Sequence, residues 1–132
     1  MTKGLAFVHP VVIVEGKNDR RRLQQVLCGD VHILCTFGTP GTERLEKLKQ
    51  KAKEATVYIF TDHDAAGRRI RGILTDLFPH AEHIYTRKGY AGVEGTPLPF
   101  LIQQLEKAGL EAYLLPSGTE WGDLTRFVPL PG

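Results

Sequence analysis

Cysteine, aromatic bulk and long apolar runs are all scarce in this chain, which has 2 cysteines, 1 tryptophan and 1 methionine in 132 residues. Cys28 and Cys35 lack the spacing of a zinc or redox motif. They read as reduced core thiols of a cytoplasmic protein, and the fold must stand without disulfides or structural zinc. No apolar stretch approaches the roughly 18 residues that crossing a bilayer requires, which argues against a membrane span. The opening Met1-Thr2-Lys3-Gly4 lacks the apolar core of a secretion leader. No internal repeat and no low-complexity segment breaks the chain. At 132 residues it is one domain's worth of sequence, large enough to bury a core of its own.

Net charge is also small, +2, but it is unevenly spread. Residues 1–90 carry 15 Lys or Arg against 10 Asp or Glu, an excess of +5, and residues 91–132 carry 2 against 5, or −3. The basic part is compatible with a polyanionic partner.

What the chain does have is alternation. Short apolar runs and amphipathic stretches follow one another, the pattern of a parallel sheet covered on both faces. Strands are expected at 10–15, 31–37, 56–61 and 82–86. Helices are expected from Asn18 to Leu27, from Glu43 to Ala55 with Thr42 as N-cap, and from Ala65 to Leu77. A fourth should follow Thr96 and Pro97, with Leu98, Leu101, Ile102, Leu105 and Ala108 inward and Gly109 ending it. Lys47, Lys49, Lys51 and Lys53 form the solvated face of the second helix. Glu111–Leu115 is expected to add an edge strand. The architecture is thus a Rossmann-like three-layer α/β sandwich occupying residues 1–115. Residues 116–132, rich in Gly and Pro, are expected to pack on it as an irregular tail anchored by Trp121 and Phe127.

Two acidic runs carry the chemistry. Glu15-Gly16-Lys17-Asn18-Asp19 closes the apolar run Val11–Val14, and Asp62-His63-Asp64-Ala65-Ala66-Gly67 closes Val57–Phe60. In open α/β sheets ligands bind beyond the carboxyl ends of the strands. Magnesium and manganese favour hard oxygen ligands, usually one or two carboxylates plus water and phosphate. For Glu15 to share an ion with Asp62 and Asp64, the first and third strands must be neighbours, which requires the order 2-1-3-4 with its switch point between them. Lys17, directly after Glu15 at this cleft, is a further catalytic candidate. His63 points away from its Asp neighbours if extended geometry persists.

Arg20, Arg21 and Arg22 stand at the start of one helix, and Arg68, Arg69 and Arg71 at the start of another. Cations at a helix N-terminus oppose the macrodipole, at about 0.3–1 kcal/mol each. An anion held between those helix ends and the guanidinium groups would account for them. Helical spacing turns half of them away, leaving Arg20 or Arg21 and Arg68 or Arg69 as phosphate contacts. Gly38, in the turn after the second strand, and Lys88, in the loop after the fourth, complete the substrate-binding candidates. Gly67 suits close helix–sheet packing.

Glu15-Gly16-Lys17-x-Asp19 ending a first strand, with Asp62-x-Asp64-x-x-Gly67 ending a third, resembles the Toprim domain over roughly residues 10–95. That family is shared by topoisomerases, bacterial primases, old-family nucleases, recombination-repair proteins and the ribonuclease that matures 5S ribosomal RNA. The Glu-Gly-Lys form, the turn Thr36-Phe37-Gly38 and Gly92-Val93-Glu94 are most similar to the maturase and to small stand-alone bacterial Toprim proteins. The resemblance implies Glu15 as general acid/base and metal ligand, Asp62 and Asp64 as Mg²⁺ (or Mn²⁺) ligands, and Asp19, Gly16 and Glu94 in support. Ala66 stands where topoisomerases of the family carry a third acid. No accessory domain supplies a nucleophilic tyrosine, and Tyr58, Tyr85 and Tyr113 fall in expected strands. The chain ends without the maturase's C-terminal RNA-binding domain.

The implied function is Mg²⁺-dependent phosphoryl transfer on nucleic acid by a small ribonuclease-like nuclease, RNA favoured over DNA, in the cytoplasm and off the membrane. Room remains for a partner protein that supplies substrate recognition. The alternative is a non-catalytic, metal-dependent nucleic-acid-binding or partner module. A phosphoacceptor receiver domain fits worse, because receivers place adjacent acids after the first strand and one Asp after the third.

Overall fold

The computed structural model describes residues 9–116. Four strands, β1 (Pro10–Val14), β2 (His32–Cys35), β3 (Thr56–Phe60) and β4 (Glu82–Ile84), form one sheet in the order β2-β1-β3-β4. All pairings are parallel, with Ile13 opposite Leu34 on one side and Ile59 on the other. β1 is central and all five of its residues are buried, the reason its sequence is a continuous apolar run rather than an alternating one.

Helices α1 (Lys17–Gln24) and α4 (Leu98–Lys107) cover one face, and α2 (Thr42–Lys51) and α3 (Ala65–Leu77) the other. Chain direction dictates that division. Parallel crossovers are right-handed. The step from β1 out to β2 and the return across β1 to β3 therefore put their helices on opposite faces. β3 to β4 continues in the return direction, so α3 joins α2. Val12, Val14, Tyr58, Phe60 and Ile84 pack under α1 and α4 with Leu23, Leu101 and Leu105. Val11, Ile13, Val57 and Ile59 pack under α2 and α3 with Leu48, Ile70 and Leu74. Burying each such aliphatic side chain contributes about 1.5–3 kcal/mol.

Several expected boundaries shift for local reasons. α1 ends at Gln24 rather than Leu27, yet Val26 and Leu27 remain buried in the turn that follows. Gly41, not Thr42, is the N-cap of α2. Thr96 does not cap α4, which starts after Pro97. Its buried hydroxyl instead donates to the Gly92 carbonyl and closes the preceding loop. The expected edge strand at 111–115 is a 3₁₀ turn, Glu111–Tyr113. It is tied to the α1–β2 connection, away from the sheet, by Cys28 N–H to Tyr113 O (2.8 Å) and Leu115 N–H to Val26 O (2.8 Å). Tyr113 is accordingly not a strand residue. Both cysteines are free, and no helix among the described residues is long and apolar enough to cross a membrane. The expected anchors Trp121 and Phe127, with the rest of 117–132, lie outside the described residues.

Candidate metal and phosphate site

The carboxyl ends of the two central strands bring the acidic runs together. Glu15 follows β1 and Asp62 lies two residues beyond β3, and the Glu15 carboxylate accepts a hydrogen bond from the Asp62 N–H at 2.9 Å. Asp19, in the first turn of α1, reaches back to the Gly16 N–H at 3.1 Å and fixes the turn that presents Glu15 and Lys17. Asp64 is the N-cap of α3, accepting from the Gly67 N–H at 2.7 Å. That helix end stabilises its negative charge.

Two glycines hold the neighbourhood of Asp62. Gly67 sits so close under the strand end that a Cβ there would collide with the Asp62 backbone. The expected packing role thus has a named partner. Gly92 has φ +69, and a Cβ on it would overlap the Asp62 carboxylate. The loop after β4 can approach only as glycine, and it then gives the Val93 N–H to Asp62 Oδ1 at 3.3 Å. Gly92 was visible in sequence only within the Gly-Val-Glu resemblance, and its contact depends on two segments 30 residues apart.

The electrostatics are those of crowded, partly buried acids. Burial raises the Glu15 carboxyl above its usual range, and the charges of Asp62, Asp64 and Asp19 raise it further. Asp62 is raised by burial and then by Asp64 and Glu94. Asp19 is raised by burial and then by Asp62 and Glu94. Glu94, exposed on the loop, is therefore close enough to act on both.

Among the described residues, no three His, Cys, Asp or Glu side chains form a ready-made metal cage. Magnesium does not need one, since it binds through one or two carboxylates with water and phosphate making up its shell. Glu15 and Asp62 offer hard oxygens and mutual repulsion that a divalent cation relieves. On that chemistry, the residues fit such an ion.

The six arginines divide by task. Arg71 is half-buried and donates to the carbonyls of Ile59 (3.1 Å), Thr61 (3.0 Å) and Ile84 (2.8 Å), with His83 Nδ1 at 2.9 Å. It ties the ends of β3 and β4 together. Arg22 donates to the Thr96 carbonyl, linking α1 to the start of α4. Arg21 bonds Asn18 Oδ1 at 3.1 Å within its own helix, and Arg68 donates to the His63 carbonyl beside the acidic run. Arg20 is half-buried, while Arg69 and Lys17 are exposed at the helix starts and Lys88 is exposed on the β4–α4 loop. Gly38 has φ +87 and follows Phe37, a non-glycine residue at φ +57. The Phe37 ring is half exposed, with the Arg44 guanidinium 4.9 Å above it. His63 stacks on Tyr85 at 5.5 Å and lines the same cavity as Asp62.

The Toprim domain profile matches residues 10–90, which takes in both acidic runs and all four strands. The chain belongs to the Toprim family. Among Toprim structures, the small TOPRIM domain protein from Bacillus stearothermophilus superposes with a TM-score of 0.68 and 34% identity, over 88% of this chain and 97% of that one. An uncharacterized protein of Bacillus subtilis, YusF, is 33% identical over 105 residues, covering 80% of this chain and 72% of its own. Ribonuclease M5 of Bacillus anthracis is 29% identical over 126 residues, covering 89% of this chain. Ribonuclease M5 1 of Ligilactobacillus salivarius is 31% identical over 99 residues, covering 66% of it. The Toprim chain spans 67% and 51% of those two ribonucleases.

Proposed function

We propose that this protein is a magnesium-dependent (or manganese-dependent) nuclease that cleaves phosphodiester bonds in RNA. The observation that carries the reading is the Glu15–Asp62 contact, which joins an acid of raised pKa to a partner acid at the switch point of a parallel sheet. A carboxyl held above its usual range takes up a proton more readily than an ordinary one, as an acid/base group must. Glu15 moves the proton at the attacking or leaving oxygen. Glu15, Asp62 and Asp64 would hold the divalent ion, with Asp64 kept in position by its bond to Gly67. A bound ion would supply charge stabilisation at the scissile phosphate. Lys17, Arg20 or Arg21, and Arg68 or Arg69 hold the phosphates on either side, with Gly38 and Lys88 at the flanks. RNA is favoured over DNA by the similarity to ribonuclease M5 sequences, and a partner protein that selects the substrate is compatible with it. We place the protein in the cytoplasm, with residues 1–115 as the catalytic domain and 116–132 as an appended tail.

One observation favours a second reading, a metal-dependent binding module without chemistry. Asp64 already spends an oxygen on the α3 cap, and Ala66 provides no further acid. Incubation with structured RNA precursors and with DNA, each with and without Mg²⁺ or Mn²⁺, separates the two. The nuclease reading expects metal-dependent RNA cleavage, reduced by at least about 100-fold in Glu15→Gln, the lower bound of the roughly 10²–10⁴-fold range for one acid/base group. Salt-sensitive binding with no cleavage of any substrate is the result of a module.

A further inference from the structure

Beside the acids lies a cavity of about 450 Å³ lined by Asp62, His63, Arg68, Arg71, Thr75, Asp76 and Tyr85. Its wall is a stack of flat groups. Tyr85 is 44% exposed as a residue, and its ring lies nearly parallel to those of His63 (5.5 Å, 16°) and His83 (6.3 Å, 17°). The Arg71 guanidinium sits 4.2 Å over the same ring. Arg71 is itself held by three backbone carbonyls, so the platform is fixed to the sheet. The β4–β3 pairing sets the position of Tyr85, the residue directly after Ile84.

We infer that this cavity is a nucleobase subsite, in which an unpaired base adjoining the phosphate at Asp62 stacks against the Tyr85 platform. The inference rests on the nuclease reading for the position of that phosphate. Each feature of the cavity serves such an occupant. A half-exposed tyrosine set in a row of parallel flat groups offers a π surface that any base can cover. Arg68, at the end of the cavity nearest His63 and Asp62, provides positive charge for the nucleotide's own phosphate. Asp76, on α3, is acidic and would repel a second phosphate there. It accepts instead from an exocyclic amino group, which favours adenine, cytosine or guanine over uracil. A base can enter only if it has left a duplex, so the subsite selects an unpaired nucleotide at the cleavage position.

The test uses the full chain and binding in EDTA, so that it reads the subsite without cleavage. A 2-aminopurine is walked along a single-stranded RNA oligonucleotide, along DNA of the same sequence, and along a matched duplex, with AMP as a free-nucleotide arm. The expected result is quenching at one position of the single strands, absent in the duplex. Affinity should fall roughly 5- to 150-fold in Tyr85→Ala, as for loss of one base–aromatic stack, and be retained in Tyr85→Phe. An abasic nucleotide at that position should cause the same loss in the unsubstituted protein, a reading that does not depend on how well Tyr85→Ala folds. Uniform quenching at all positions, tighter binding of the duplex, or equal binding of the abasic strand overturns the subsite. So does AMP binding that is lost in Tyr85→Ala while oligonucleotide binding is not, since the cavity would then hold a free nucleotide. The subsite and the nuclease reading fail separately. Quenching at one position without cleavage in Mg²⁺ removes the nuclease alone, and cleavage unaffected by Tyr85→Ala or the abasic nucleotide removes the subsite alone.

Discussion

Glu15, Asp19 and Asp62 hold their protons more tightly in the fold than in the unfolded chain, through burial first and mutual repulsion second. The sign of the consequence is definite. A carboxyl with a raised folded pKa costs stability above that pKa, and the cost is relieved as pH falls through it toward the unfolded value. Glu15→Gln and Asp62→Asn should therefore raise the melting temperature at pH 7–8 in the absence of metal. The amide oxygens can still accept from the Asp62 and Val93 N–H groups. We expect a gain of about 0.5–1 kcal/mol, at the low end for relieving like charges because the groups are only half-buried. It should shrink as the pH approaches 4. Thermal melts across that range check this, and a loss of stability in both variants at neutral pH contradicts it. Sequence showed which residues these are, because each lies in an acidic run that follows an apolar strand. It did not show that Glu15 bonds the Asp62 N–H, a contact 47 residues long.

At the scale of elements, the site depends on what the β4–α4 loop can reach. Gly92 allows that loop to touch Asp62, and the Thr96 hydroxyl closes the turn by bonding the Gly92 carbonyl. Gly92→Ala adds a methyl group where the Asp62 carboxylate stands, at a positive φ. It should cost roughly 1–3 kcal/mol and withdraw the Val93 N–H from Asp62. Amide exchange at Val93 reads the second effect directly. Faster exchange at Val93 with β1 unchanged is expected, and unchanged exchange there contradicts the contact. The strands and α3 were legible because their apolar periods are strong and their ends are marked by acids or a cap. The edge strand at 111–115 was not, since its backbone bonds to the α1–β2 turn instead of a sheet neighbour. Arg71 and Tyr85 were equally hidden. Arg71 looked like one more cation at a helix start, and its carbonyl partners come from β3 and β4.

For the whole molecule, the strand order β2-β1-β3-β4 converts two separate motifs into one constellation. It places Phe37, Glu15, Asp62 and Tyr85 beyond four adjacent strand ends in that spatial order. Three interstrand spacings span about 14 Å, so the acids occupy the middle and an aromatic ring stands at either side. That order followed from requiring Glu15 and Asp62 to share a site, the one place where a chemical argument fixed topology. The proposed function requires these middle acids to hold a divalent cation. Melting the protein with and without Mn²⁺ or Mg²⁺, beside Glu15→Gln and Asp62→Asn, tests it most directly. An ion at ten times its Kd stabilises the folded state by about 1.4 kcal/mol, a rise of roughly 4–8 °C for a domain of this size. That rise is expected in the unsubstituted protein, and its loss in both variants. An equal rise in all three proteins, or none in any of them, would contradict it.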